Sequence, residues 1–367
     1  MLLSADIPRE RLRVHPQACV DDSPLEVSII CPMFNEAAGI QGAVAKLARC
    51  IDAFPSVEVL LVNDGSQDDT VERAIEAIGG DPRFRILSHC VNFGRGRALR
   101  TGFREARGRI IVTTEGDLSW GAEVVPRMID SLRASPQLDA VFASPHLPGG
   151  GYRNVPWHRV MLSSFGNRVL RFLYTGSLTM TTGMTRAYRA SVIKPHVFTY
   201  DGKELHLEIS HRLLTLGYRI GEVPALLSWP DPEPGKESRA KRTKWGKISM
   251  VAGSHMAFGV MRGVSHIIAP TLVLLTLAVV AFGGWAVYNL SVGTPSIFLA
   301  VLTGILMILW VSVFLGFFML HHILEVQKEI WRTQRQINLI ADARHDSLSN
   351  YYFEEAIGHS AAGADAS

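Results

Sequence analysis

The chain has 367 residues, 47% of them hydrophobic and 19% charged, with a formal net charge of +3. A balance so near neutral excludes the broad basic field of a nucleic-acid binder, and the length allows one large or two modest domains with real cores. Four cysteines, at positions 19, 31, 50 and 90, form no Cys-x-x-Cys pair. They read as reduced cytosolic thiols without a disulfide or zinc role.

Residues 1–24 are polar and mixed, and read as a loose N-terminal arm rather than a cleavable signal peptide. From residue 26 strand and helix signals alternate. "EVSIICP" (26–32) is an apolar strand and "EAAGIQGAVAKLARCIDAF" (36–54) an amphipathic helix. "VEVLLVND" (57–64) is a second strand, "DDTVERAIEAIG" (68–79) a helix with acids in its first turn, and "FRILSH" (84–89) a third strand. "GRALRTGFREARG" (96–108) is a helix closed by Gly108. "RIIVTTEGD" (109–117) and "LDAVFAS" (138–144) are strands four and five. Apolar strands separated by helices predict an α/β domain with a mostly parallel, Rossmann-like sheet covered on both faces. Ligands of such sheets bind beyond the carboxyl ends of the strands. Residues 150–235 are less regular, with more Arg, Tyr, Trp and Pro, and are assigned to the acceptor side of any site.

From Gly263 to Leu320 there is no Asp, Glu, Lys or Arg. At about 20 residues per bilayer crossing, this predicts two spans, near 265–288 and 297–320, joined by the turn signals of "YNLSVGTPS" (288–296). Lys241, Arg242, Lys244, Lys247 and Arg262 precede the first span, and Lys328, Arg332 and Arg335 follow the second, whereas the turn has no basic residue. Both termini are therefore expected in the cytoplasm, at the inner face of a cell membrane. The segment 243–263, small-residue-rich and apolar, reads as a juxtamembrane interfacial helix. The organisation expected is an arm (1–24), a catalytic domain (25–242), that interfacial helix, two transmembrane helices (264–322), and a cytoplasmic C-terminal helix and tail (323–367). In the tail, Ile323, Ile330 and Ile337 recur every seven residues. Either a packing seam, which makes a homo-oligomer an expectation, or a solvated amphipathic helix has this pattern.

The chemistry-bearing residues sit at predicted strand ends. Glu115-Gly116-Asp117 places two acids one residue apart. A divalent cation on a diphosphate takes one or two carboxylates and keeps its other positions for phosphate and water; an ordinary polar strand end is the alternative. Asn35 and Glu36 follow strand one. Asp64 follows strand two, where a carboxylate can accept from a base or a ribose hydroxyl, or simply belong to a capping turn. "NFGRGRALRTGF" (92–103) turns through glycines into a helix, offering Arg95 and Arg97 to phosphate or to solvent.

Four segments, "VSIICPMFNEAAGI", "VLLVNDGSQDDT", "NFGRGRALRTGF" and "GRIIVTTEGDLSW", stand in the order and spacing found in family 2 glycosyltransferases, which have the GT-A fold. "GYRIGEVPALLSW" (217–229) followed by "GKESRAK" (235–241) resembles the polyprenyl-phosphate hexose synthase branch of that family, to which dolichol-phosphate mannose synthase belongs. The resemblance covers residues 26–242. It implies a GT-A catalytic domain with a C-terminal two-helix transmembrane hairpin. The activity implied is inverting transfer of a hexose from UDP- or GDP-hexose to polyprenyl phosphate, giving a lipid-linked donor for cell-envelope glycan.

Residue by residue, the resemblance implies that Pro32, Asn35, Glu36 and Asp64 line the nucleotide; Arg95, from the glycine-punctuated turn, is the further nucleotide-binding candidate. It places the family's Asp-x-Asp on Glu115 and Asp117, with Mg2+ or Mn2+ as the metal and Asp117 central to catalysis. Glu208 matches a frequent acid on the helix before "GY", catalytic or merely supporting. Arg186, Arg159, Ser238, Arg239 and Lys241 are the candidates for the acceptor phosphate. Three departures stand out. Glu115 replaces the first Asp, Ser144-Pro145 replaces the usual Ser-Arg, and "GSLTMTTG" (176–183) lacks the acid that often precedes the Arg-Ala-Tyr segment. A lipid phosphate, largely ionised near neutral pH, attacks without a base. A sugar-hydroxyl acceptor would need one. The alternatives are thus a family 2 transferase acting on a lipid-linked sugar hydroxyl, and a non-catalytic membrane-bound relative.

Overall fold

A computed structural model describes residues 13–14, 25–116, 118–121, 123–157, 160–161, 163–164, 167–168, 178–229, 268 and 270–362, with side chains described up to residue 341 except at 13–14. Asp117, Arg159, Ser238, Arg239, Lys241, most of the N-terminal arm and the interfacial segment 243–263 lie outside the described residues.

The α/β part of the chain is built on an eight-stranded sheet in the order β1-β4-β3-β2-β5-β8-β6-β9. Its strands are β1 (Arg13–Val14), β2 (Val27–Met33), β3 (Val57–Asn63), β4 (Phe84–Ser88), β5 (Ile110–Thr113), β6 (Ala140–Ser144), β8 (Arg186–Arg189) and β9 (Ile220–Pro224). β7 (Gly151–Arg153) and β10 (Leu226–Ser228) form a separate parallel pair. Strands β2 to β5 are parallel to one another, while β8 enters antiparallel between β5 and β6. That antiparallel strand was not expected from the apolar pattern.

The helices follow from the same pattern. α1 (Ile40–Ile51), α2 (Thr70–Ile78) and α4 (Val124–Ala134) cover one face, where Val27, Ile29 and Cys31 meet Leu47, Ala74 and Met128. α3 (Arg95–Glu105), the short α5 (Ala190–Ile193) and α6 (Leu205–Thr215) cover the other, where Ile30, Leu60 and Val62 meet Leu99, Phe103 and Ile209. Successive strand residues point to opposite faces, so both layers form from one run of apolar residues. Each fully buried aliphatic side chain contributes about 2 kcal/mol.

Three boundaries differ from expectation. α1 starts at Ile40 rather than 36, because Asn35 has φ +51 and the backbone N–H groups of Asn35, Glu36 and Ala37 donate to Ser66, Thr70 and Asp68. β5 ends at Thr113, so Glu115 stands in the loop beyond it. The second apolar helix does not stop near 320.

Two helices are long and apolar enough to cross a membrane: α7 (Pro270–Ser291) and the start of α8 (Ile297–Ala362). The indole N–H of Trp310 donates to Thr276 Oγ1 at 2.8 Å, and Gly283 lies against Thr303, so the two form a hairpin. α8 continues unbroken for 66 residues, roughly 100 Å at 1.5 Å per residue. Beyond the apolar part it docks on the α/β domain. Trp331 is buried between His211, 5.7 Å between ring centres, and the Arg212 guanidinium, 4.7 Å from its ring. Arg335 lies over Tyr218, and Asn338 donates to the carbonyl of Pro195 at 2.9 Å.

Candidate active site

The chain winds from β2 to β3 to β4 and then returns to the opposite side of β2 with β5. Between β2 and β5 the winding reverses, and a crevice opens at the carboxyl ends of these strands. Glu115 follows β5, and Asn35 and Glu36 follow β2, so both flank the switch point. Pro32 is accommodated within a central strand because pairing with β5 has already ended at Ile30–Thr113; it faces only β3, opposite Val62.

Glu115 is the most informative of these residues. Its side chain is about a third exposed, Oε2 accepts the Ser119 hydroxyl at 2.7 Å, and Oε1 lies 3.7 Å from the Arg95 guanidinium. Arg95 begins α3, and its Nε is buried without a hydrogen-bond partner. Carboxylate and guanidinium thus face each other across the crevice at more than hydrogen-bonding distance. The turn carrying Glu115 is fixed: the Leu118 N–H donates to the Glu115 carbonyl with Leu118 at φ +48, and a Cβ on Gly116 would crowd Cys31 Sγ at 3.3 Å.

Asp64 is buried and anchors a loop. Oδ1 accepts from His89 Nδ1 at 2.9 Å and the Phe93 N–H at 3.0 Å, and Oδ2 accepts the Gly94 N–H at 2.8 Å. His89 continues to Thr101 at 3.0 Å. Asn35 has a similar part: Oδ1 accepts the Gln67 N–H at 2.9 Å, tying the β2 loop to the β3 loop. The Glu36 side chain is exposed at the rim.

Several arginines are committed elsewhere. Arg97 and Arg100 are neither solvated nor turned to a ligand: both bind Asp201 Oδ1, at 2.9 and 3.0 Å. The Asp201 carbonyl also accepts the Gly96 and Arg97 N–H groups, so the α3 N-terminus is already capped by protein. Arg186, expected at the acceptor phosphate, is fully buried. It donates to the carbonyls of Gly183, His206 and Thr181 and to the Ser210 hydroxyl, and its guanidinium lies 4.1 Å from the Phe142 ring centre. Burial holds its pKa below the usual arginine value. A guanidinium so enclosed braces the segments around it, and none of its surface is open to solvent.

Glu208, the other expected catalytic acid, is likewise a brace. It accepts the Thr199 and Tyr200 N–H groups at 2.9 to 3.1 Å and pairs with Arg212 at 2.8 Å. It therefore fixes the segment leading to Asp201. Sequence reasoning missed Asp201 and Glu222. The latter accepts from Thr179 and Met180 N–H at 2.9 Å and so positions 178–180. The Asp-Gly pair ahead of α6 was the available signal for Asp201. His146, which follows the Ser144-Pro145 departure, is bonded to the Tyr152 hydroxyl at 3.1 Å.

The described residues fit a metal only in part. Glu115 can supply one carboxylate, and no group of three or more His, Cys, Asp or Glu gathers among the described residues to hold an ion unaided. That donor set suits an ion shared with phosphate oxygens rather than a closed protein cage.

Comparison with known proteins agrees with this geometry. Residues 28–196 match the family model described as glycosyl transferase family 2. An undecaprenyl-phosphate mannosyltransferase from Micrococcus luteus is 30% identical over 250 residues, covering 64% of this chain and 100% of the relative. A polyprenol monophosphomannose synthase from Mycolicibacterium smegmatis is 30% identical over 234 residues, covering 59% and 86%. Among solved structures, glucosyl-3-phosphoglycerate synthase from Mycobacterium tuberculosis with phosphoglyceric acid superposes with a TM-score of 0.50 at 19% identity, covering 66% of this chain and 81% of that one. That likeness shows the GT-A fold.

Proposed function

Because the chain belongs to glycosyltransferase family 2, we propose that it transfers a hexose from UDP- or GDP-hexose to polyprenyl phosphate at a cell membrane. The observation that carries this reading is the pairing of the crevice, where Glu115 faces Arg95, with a two-helix apolar hairpin on the same chain. A soluble donor meets the first, and a lipid acceptor shares the bilayer with the second. The named activities of the two bacterial relatives support the same acceptor class.

The chain's own groups account for the chemistry as follows. Asn35, Glu36, Asp64 and Pro32 shape the nucleotide side, with Asp64 holding the 93–94 backbone in place. Glu115 and Asp117 would hold Mg2+ or Mn2+, which when bound neutralises charge on the donor diphosphate. Arg95 stabilises the departing nucleoside diphosphate, a role that needs a guanidinium already aimed at the crevice. Arg159, Ser238, Arg239 and Lys241 supply the acceptor-phosphate contacts. No base is required, since the phosphate is already ionised. In-line attack inverts the anomeric carbon. The acids nearest the expected base positions, Glu208 and Glu222, are spent on backbone N–H groups, which disfavours a hydroxyl acceptor. Basic residues at both ends of the hairpin support a cytoplasmic catalytic domain with both termini on the same side.

The test is transfer of label from UDP-hexose and GDP-hexose, each with polyprenyl phosphate and Mg2+ or Mn2+, to the organic phase. A lipid product with inverted configuration is expected; a retained configuration contradicts the in-line mechanism.

A further inference from the structure

α8 has two faces beyond the membrane. One carries Leu324, Trp331, Arg335 and Asn338 onto the catalytic domain. The other carries Ile323, Ile330 and Ile337, which are 56%, 58% and 60% exposed. Val326 and Ile340 lie on the same face, 45% and 64% exposed, with Thr333 between them. The spacing alternates three and four residues, the a and d pattern of a coiled coil. The catalytic domain leaves this stripe uncovered.

We propose that this stripe packs in parallel against the same stripe of a second copy of the chain. Four observations select that occupant. The 3-4 spacing is self-complementary, so one helix supplies both knobs and holes. The flanking positions 327, 334, 336 and 341 are Gln, Gln, Gln and Ala, and the one flanking acid, Glu329, is paired within its own chain to Arg332 at 2.6 Å. No like charges oppose a second helix. α8 is also continuous with its apolar part, so copies anchored in one membrane present the stripe side by side and in the same direction. Within the apolar part the same face carries Ser312 and Gly316, small residues four apart that permit close helix approach. Burying the five exposed aliphatic side chains on both copies removes on the order of 1,000 Å² from water, the scale at which specific interfaces begin. The inference rests on the membrane hairpin and stands whether or not the transferase reading does.

Cysteine cross-linking of the full chain in lipid nanodiscs or native membranes tests this, in a Cys19→Ser, Cys90→Ser background. Ile330→Cys should give an oxidised dimer at least fivefold more efficiently than Arg332→Cys, which lies off the stripe. Ile323→Cys should cross-link to itself and not to Ile340→Cys on a mixed partner. The Ile330→Asp, Ile337→Asp pair should convert the wild-type oligomer to monomer by native mass spectrometry. Equal yields at 330 and 332, cross-linking of 323 to 340, or a monomeric wild type overturns the proposal.

Discussion

Glu115 and Arg95 face each other across 3.7 Å at the carboxyl edge of the sheet, one on the loop after β5 and the other at the first turn of α3. Neither forms its full complement of close contacts: Glu115 has the Ser119 hydroxyl on its other oxygen, and Arg95 keeps a buried Nε without a partner. The pair is a loose one, longer than a hydrogen bond, and its members would have to part for phosphate oxygens and a cation to come between them. Arg97 and Arg100, two and five residues further along α3, are instead closed onto Asp201.

Arg95→Ala should lower kcat for transfer by about 10²–10³-fold with little change in unfolding temperature, the effect typical of losing one preorganised charge donor. Glu115→Asp should retain activity if the carboxylate is a metal ligand. Asp117→Ala should abolish transfer, and near-normal rates in that variant contradict the metal assignment. Steady-state kinetics with varied Mg2+ distinguish these outcomes.

Arg186 gives the opposite pattern. Arg186→Met removes four hydrogen bonds from a buried site and should destabilise the fold by roughly 3 kcal/mol or more. Arg186→Lys should not rescue it, because one ammonium cannot span the carbonyls of Gly183, His206 and Thr181. Thermal unfolding reads this directly. An unchanged unfolding temperature with a raised acceptor KM would instead return Arg186 to phosphate binding.

The expected and observed structures agree where apolar periodicity carries the signal and part where buried polar chemistry does. β2 to β6 and helices α1 to α3 are legible as apolar runs, whereas α4 was not singled out; the loops after β2, β3 and β5 fall where the motifs put them. β8 is not, since "RAYR" carries two arginines in four residues and reads as a phosphate-facing motif; Arg186 is buried because the carbonyls of nearby Thr181 and Gly183 and of His206 converge on it. Glu208 reads as a possible acid for the same reason: its partners, the N–H groups of Thr199 and Tyr200, are invisible in residue type. The charges after Leu320 suggest an end to the span, but no Pro or Gly from 317 to 341 breaks the helix.

Two glycines separate tight approach from mere composition. A Cβ on Gly96 would lie 2.6 Å from the Gly202 carbonyl oxygen, so Gly96→Ala should cost about 1–3 kcal/mol and disturb the adjacent Arg95. Gly42, inside α1 with open space around it, should tolerate alanine and gain up to about 1 kcal/mol. Chemical denaturation of the two variants makes the comparison.

His196 makes stability depend on pH. Burial, then Arg212 and Arg335, push its pKa down to about 4. A folded-state value below the unfolded one means the unfolded chain takes up the proton first. This contribution is therefore intact above about pH 6.5 and is lost as pH falls from there toward 4, by on the order of 3 kcal/mol in all. His196→Phe, which keeps the ring contacts with Phe198 and Tyr218, should flatten that part of the profile. Denaturant midpoints at pH 7.5 and pH 5 supply the measurement, and parallel profiles in both proteins contradict the assignment.

The central claim is that the acceptor is a lipid phosphate, and one side-by-side assay tests it. Purified full-length protein is given the same labelled nucleotide hexose with polyprenyl phosphate or with the matching polyprenol. Transfer to the phosphate and none to the alcohol is the predicted result. Transfer to the alcohol, or no turnover with either lipid while the nucleotide still binds, would contradict it.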